Sequence, residues 1–151
     1  VSGPGPSDPR AYPSRPFLAV SAAVFRAGRV LLVRRARAPS AGPWTLPGGV
    51  VEAGETLHDA VTREIAEETA LAVAPVALAG HREVILRDPD GRAERHFVVL
   101  AFAARWLAGE PVLDAELAAF DWHDPATVAG LDTTEGLAEI VAAAQAILGA
   151  A

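Results

Sequence analysis

GGVVEAGETLHDAVTREIAEETAL, residues Gly48–Leu71, is the stretch on which the reading of this chain turns. Two glycines predict a tight turn in front of a helix, and the helix carries Glu64, Glu67 and Glu68. At 3.6 residues per turn these three fall near about 0°, 300° and 40° on the helical wheel. The apolar Leu57, Val61 and Ile65 fall near about 20°, 60° and 100° on the same wheel. The carboxylates therefore overlap the edge of the stripe expected to be buried. Local rules disfavour this, since like charges three or four residues apart cost about 0.2–0.5 kcal/mol each. Acids in the last turn also face the negative end of the helix dipole, at about 0.3–1 kcal/mol. Several broken rules in one place mark a candidate functional site. A hard divalent cation such as Mg²⁺ or Mn²⁺ would relieve the repulsion, because it prefers clustered carboxylate oxygens. A solvated acidic face is the alternative on the helix alone.

The spacing around the helix goes further. Gly49, five residues, Glu55, seven residues and then Arg63-Glu64-Ile65-Ala66-Glu67-Glu68-Thr69-Ala70-Leu71 resembles the signature of the Nudix hydrolase family, G-x5-E-x7-R-E-U-x-E-E-x-G-U, with U a bulky aliphatic residue. Every position matches except the last glycine, which is Ala70 here. The resemblance implies an α/β fold, the Nudix α/β/α sandwich with a mixed β-sheet between helices, over roughly Pro16 to Leu148. It also implies metal-dependent hydrolysis of a phosphoanhydride in a nucleoside diphosphate linked to another group.

Carried over position by position, the resemblance makes Glu67 and Glu68 the main side-chain ligands of Mg²⁺ or Mn²⁺. Glu64 becomes a further ligand or the general base, and the Gly48 carbonyl a main-chain ligand. Arg63 resembles the arginine that pairs with the box glutamates and orients them, and Glu55 supports the loop–helix junction. One more carboxylate is expected from a later loop: Glu116 first, then Glu94 and Asp114. Arg34, Arg35 and Arg37 precede the box, to meet phosphates or to serve as solubilising charge; Arg34, Arg35 and Gly49 are the assigned substrate-binding residues. Ala70 puts the local helix end in doubt more than the activity, because a left-handed conformation costs alanine about 1 kcal/mol or more.

Composition bounds the rest. A length of 151 residues suits one domain with a sizeable core. Thirteen basic against nineteen acidic residues give a net charge of −6, which argues against broad nucleic-acid binding. No cysteine is present, so disulfides, thiolate metal sites and thiol nucleophiles are excluded. No apolar run approaches the ~20 residues that span a bilayer, and the start lacks a signal-peptide core. The expectation is a cytoplasmic protein with a small-molecule nucleotide as partner, no nucleic acid and no membrane. The resemblance adds a possible homodimer.

Residues 1–16, with five prolines, read as a flexible or extended arm before a domain at 17–151. Phe17–Arg26 and Arg29–Arg35 read as paired strands around an Ala27–Gly28 turn. Trp44–Pro47 leads into the glycine turn, and Thr56 is the expected helix N-cap, with Asp59 three residues on. Pro75 marks an irregular patch. His81–Arg87 and Glu94–Trp106 read as strands joined at Asp88-Pro89-Asp90-Gly91. Ala118–Trp122 follows as a short strand, Pro125–Val128 as a helical turn, and Thr134–Leu148 as an amphipathic helix packed on the sheet. Among the aromatics Trp44, Phe97, Phe102, Trp106 and Trp122, one is available to stack on a base. His58, His81, His96 and His123 show no ligand spacing.

On substrate, the box region, with RHFVVLAFAARWLAGEP and DTTEGLAEI, looks most like the ADP-ribose pyrophosphatase-like subgroup, which implies ADP-ribose or a related nucleotide sugar giving AMP plus a sugar phosphate. Pro89, inside its turn, comes late for the proline that marks ADP-ribose enzymes. A MutT-type nucleoside triphosphate pyrophosphohydrolase is the second reading. A non-catalytic nucleotide sensor is the third, opposed by the retention of Glu55, Glu64, Glu67 and Glu68. An RNA role lacks the expected basic patch.

Overall fold

A computed structural model describes residues 8–36 and 42–150. The first strand, β1 (Phe17–Arg26), is the organising element, because three partners pair with it. Its sequence alternates between two buried faces. Val20, Ala22 and Val24 join one core cluster, and Ala23 joins the other. That is the period of two expected of a strand covered on both sides. The next strand, β2 (Arg29–Arg35), repeats the pattern, with Leu31 and Val33 in the first cluster and Val30 and Leu32 in the second. Burying each leucine or valine of this kind stabilises the fold by about 1.5–3 kcal/mol. Between β1 and β2, Ala27 and Gly28 both take positive φ, 51° and 78°, as a tight hairpin turn requires.

The remaining strands are β3 (Trp44–Thr45), β4 (Gly48–Val50), β5 (Ala72–Arg87), β6 (Ala93–Ala108) and β7 (Leu117–His123). The sheet runs β3-β2-β1-β6-β5, with β4 also pairing β1 and β7 pairing β2. The β1–β6 pair is parallel and the others are antiparallel, so the sheet is mixed as expected. Helix α1 (Leu57–Thr69) covers one face through Ala60, Val61 and Ile65. Helix α2 (Leu137–Ala150) covers the other through Leu137, Ile140, Val141, Ala144 and Leu148. Three layers result: helix, sheet, helix.

Three local expectations are corrected. Gly48–Gly49 is not a turn but the start of β4, aligned on Ser21 and Val20. Neither glycine has positive φ; a β-carbon at Gly48 would meet the backbone of Val20 and Ser21, and one at Gly49 the end of the Glu64 side chain. Pro75 does not divide two strands, because β5 runs through it with a register shift between Pro75 and Ala77. The strand lies at the sheet edge, where a residue lacking an N–H is tolerated. Finally, α2 begins at Leu137 and not Thr134: Gly136 has φ +80°, and Thr134 bonds instead to the Thr45 hydroxyl at 3.0 Å.

Described residues of the N-terminal segment lie against the β5–β6 hairpin. The Tyr12 hydroxyl donates to Asp88 at 2.9 Å, its N–H to the Glu94 carbonyl at 2.8 Å, and Asp8 pairs with Arg95. Asp88 also closes the hairpin turn by accepting the Asp90 and Arg92 N–H groups. No helix among the described residues is long and apolar enough to cross a membrane.

At the end of α1, Ala70 takes φ 62° and donates its N–H to the Ala66 carbonyl. The helix thus stops as a glycine would stop it, with alanine bearing the strain. Ala70→Gly is expected to raise stability by about 1 kcal/mol, read as a melting temperature some 2–4 °C higher. An unchanged or lower value would mean that the flexibility glycine adds to the unfolded chain outweighs the relief.

Candidate active site

The site is assembled at α1 and what packs on it. Thr56 caps the helix, its side chain accepting the Asp59 N–H at 3.1 Å. Two turns on, Arg63 forms a hub. Its Nε and Nη2 donate to the two oxygens of Glu55 at 2.5 and 2.8 Å, a bidentate fork. Its Nη1 reaches Glu64 at 2.8 Å and Glu67 at 3.3 Å, and Nη2 also donates to the Val50 carbonyl. One guanidinium thus offsets the like-charge repulsion that the sequence raised, and ties the helix to β4 and the preceding loop.

Arg63, and then the Glu52 N–H, hold the Glu55 carboxyl down at about 2. A carboxyl depressed on folding adds stability above its open-chain pKa, and that stability is lost as pH falls through the folded value. Wild type is therefore expected to lose melting temperature more steeply than Glu55→Gln between about pH 5 and pH 2. Parallel acid limbs would remove Glu55 from the account.

The two glycines of β4 fit the helix from the other side. A β-carbon on Gly49 would stand 2.3 Å from the Glu64 carboxylate, and one on Gly48 would stand 2.1 Å from the Val20 carbonyl. The Gly48 N–H donates to Glu68 at 2.9 Å. Glu68 is only 4% exposed, which bears out the overlap of carboxylate and apolar stripe on the wheel. Burial pushes its carboxyl above the usual range, and Arg35 and the Gly48 N–H oppose that. Glu67 points outward, with its side chain 59% exposed.

A loop after β6 supplies further acids by capping the helix end. The Glu68 and Thr69 carbonyls, unpaired within the helix, accept the Asp114 and Val112 N–H groups at 3.1 and 2.9 Å. This brings ligand atoms of Glu68, Asp114 and Glu116 within 4.8 Å of one another. Asp114 and Glu116 thus both stand at the site, whereas Glu94 sits at the start of β6 beside the hairpin. The signal for Asp114 was its place two residues before Glu116; the capping that positions both is not a local sequence property.

Arg34 and Arg35 diverge because neighbours on a strand point to opposite faces. Arg35 faces the acids and donates to Glu68 at 2.9 Å. Arg34 donates to the Gly42 carbonyl at 2.7 Å and lies over the Trp44 ring, away from the cleft lining. Arg37 lies outside the described residues. A cleft of about 690 Å³ opens over these groups, and its lining includes Glu64, Glu67, Glu68 and Glu116 together with Arg82, Arg95 and Phe97. Phe97 stacks on Phe17. Of the other aromatics, Trp44 packs on His123, Phe102 on His58, and Trp106 and Trp122 flank Arg26. No histidine joins a three-ligand group among the described residues.

This donor set fits a hard divalent cation. Every grouped ligand atom is a carboxylate oxygen, the donor such a cation prefers. The result is a helix–sheet–helix sandwich with glutamates from one helix at a cleft, anchored by an arginine hub. The model of the NUDIX domain matches residues 15–144, and the chain belongs to the Nudix hydrolase family.

Its relatives divide by name. It is 38% identical over 95 residues to an ADP-ribose pyrophosphatase of Methanocaldococcus jannaschii, covering 63% of this chain and 54% of that protein. The chain thus spans about half the length of that relative. It is also 38% identical over 117 residues to a putative 8-oxo-dGTP diphosphatase 2 of Mycobacterium tuberculosis, covering 70% of this chain and 79% of that one. In fold it is similar to a MutT protein from Methanosarcina mazei, with a TM-score of 0.70, 24% identity, and 88% and 96% of the two chains covered.

Proposed function

We propose that this chain hydrolyses a phosphoanhydride in a nucleoside diphosphate derivative, with ADP-ribose or a related nucleotide sugar as substrate and AMP plus a sugar phosphate as products. The observation that carries this is one cleft whose lining holds Glu64, Glu67 and Glu68 together with an aromatic ring, Phe97. Glu67, Glu68 and the Gly48 carbonyl would hold Mg²⁺ or Mn²⁺, with Asp114 or Glu116 completing the set. When bound, the metal offsets charge on the phosphate oxygens and lowers the pKa of the attacking water. Glu64 serves as a further ligand or takes the proton from that water, and Arg63 holds its carboxylate in place for either role. Gly49 leaves that carboxylate unobstructed and lets substrate approach the backbone.

The similarity to a protein named for ADP-ribose supports the nucleotide-sugar reading. A nucleoside triphosphate substrate is the second reading, favoured by equal identity to a protein named for 8-oxo-dGTP. A homodimer and the division into an arm at 1–16 and a domain at 17–151 belong to the same proposal, and light scattering of the chain with and without the arm tests both. For the chemistry, the test is hydrolysis with Mg²⁺ and Mn²⁺ of ADP-ribose, sugar nucleotides, dinucleoside polyphosphates, NADH and (d)NTPs. AMP and ribose 5-phosphate from ADP-ribose are expected. Preference for a triphosphate would overturn the substrate and keep the chemistry. Tight nucleotide binding without turnover would move the reading to a sensor.

A further inference from the structure

Arg35 closes β2, and its Nη1 sits 2.9 Å from one oxygen of Glu68 while the other oxygen accepts the Gly48 N–H at 2.9 Å. Both oxygens of the most buried acid in the site are therefore already engaged by the protein. Backbone pairing fixes this placement. Arg35 aligns with Leu117 across β2–β7, after a register shift between Arg34 and Arg35, and the Ala36 N–H donates to the Glu116 carbonyl at 2.8 Å. A protein cation thus enters the group of Glu68, Asp114 and Glu116, whose ligand atoms lie within 4.8 Å. A divalent ion at those carboxylates meets a guanidinium bound to the same Glu68, and like charges repel. The Arg35 side chain is also 32% exposed and lines the cleft, where a phosphate would lie. Its guanidinium matches phosphate oxygens as well as it matches a carboxylate.

We propose that Arg35 is a positioning residue that couples metal loading to substrate loading. Without nucleotide it is the counter-ion of Glu68 and opposes the divalent ion. With nucleotide it turns to the phosphate and releases Glu68 to the metal. This deepens the proposed function and rests on it.

The test is calorimetric titration of Mn²⁺ into the full chain at mildly alkaline pH, alone and then with a non-hydrolysable methylene analogue of ADP. Arg35→Gln is expected to bind Mn²⁺ alone roughly tenfold tighter than wild type, and to lose most of the gain in Mn²⁺ affinity that the analogue confers, within the usual range of coupling between sites. Arg35→Lys keeps the charge but loosens the pair, so it shifts both quantities in the same direction by less; it carries the test if the glutamine variant fails to fold. Mn²⁺ binding no tighter than wild type in both variants, or an undiminished gain from the analogue, overturns the role of Arg35 and leaves the proposed function standing. No Mn²⁺ binding by wild type even with the analogue present overturns both.

Discussion

Glu67→Gln is expected to lower kcat by about 10³-fold while leaving the melting temperature within a degree or two, since a loss of several kcal/mol of metal-held charge stabilisation corresponds to that factor. The two effects separate because of where Glu67 sits. Its side chain is 59% exposed and, among the described residues, its side-chain tie is one bond of 3.3 Å from Arg63, which keeps Glu55 and Glu64. Surface changes of this kind are usually worth less than about 0.5 kcal/mol. Glutamine preserves the shape and one oxygen but removes the charge. Steady-state kinetics at saturating Mg²⁺, with a parallel thermal melt, reads both quantities. A kcat within a few-fold of wild type would remove Glu67 from the reacting group and shift weight to Glu64, Glu68 and the loop acids.

Gly48→Ala carries the largest effect on stability. The added carbon would stand 2.1 Å from the Val20 carbonyl oxygen and 2.7 Å from the Ser21 Cα, both backbone atoms that no rotamer change can move. Relief requires β4 to leave β1, which also breaks the Gly48 N–H bond to buried Glu68. Overpacking with backbone shifts costs about 1–3 kcal/mol or more, and a buried acceptor left short of a donor adds about 1–3 kcal/mol. A fall in melting temperature on the order of 10 °C is expected. Gly49→Ala behaves differently, because its clash is with the end of a side chain, the Glu64 carboxylate. That side chain can swing aside, so the second variant is expected to keep most of its stability and lose most of its activity. Equal melting temperatures for Gly48→Ala and wild type would mean that Gly48 does not lie against Val20 and Ser21.

What was legible in the sequence depended on range. β1 and β2 were readable to the residue because each is an apolar run bounded by a turn, and a strand buried on both faces needs nothing else. The box helix was equally open, since cap, periodicity and the placement of Glu68 among apolar residues are all local. Gly48 and Gly49 were seen as important for the wrong reason. A glycine flags either a special φ or a close approach, and the approach here comes from Val20 and Glu64, which are distant in sequence. Pro75 was a true irregularity, but only the edge position of β5 decides whether a proline ends a strand or bends it. The pairing of Arg35 with Glu68 was beyond reach, and Glu116 and Asp114 could be named as candidate loop acids but not seated, for the same reason. They depend on the β2–β7 register and on spare helix carbonyls, neither of which is written in one segment.

The parallel pairing of β1 with β6 has a consequence for how the molecule comes into being. Phe17 meets Phe97 across a stretch of chain that contains β2, β4 and all of α1. Contacts of such long span are slow to form, since the intervening loop must close before the contact contributes. Hairpins such as β1–β2 and β5–β6 are local and free to form early. The acidic helix has no finished seat until β1 and β6 meet. A chain cut after Leu71 would carry the whole signature and still be without β6, the Asp114–Glu116 loop and β7. The signature is therefore no portable unit, because its carboxylates are brought together by strands and a loop that lie outside it.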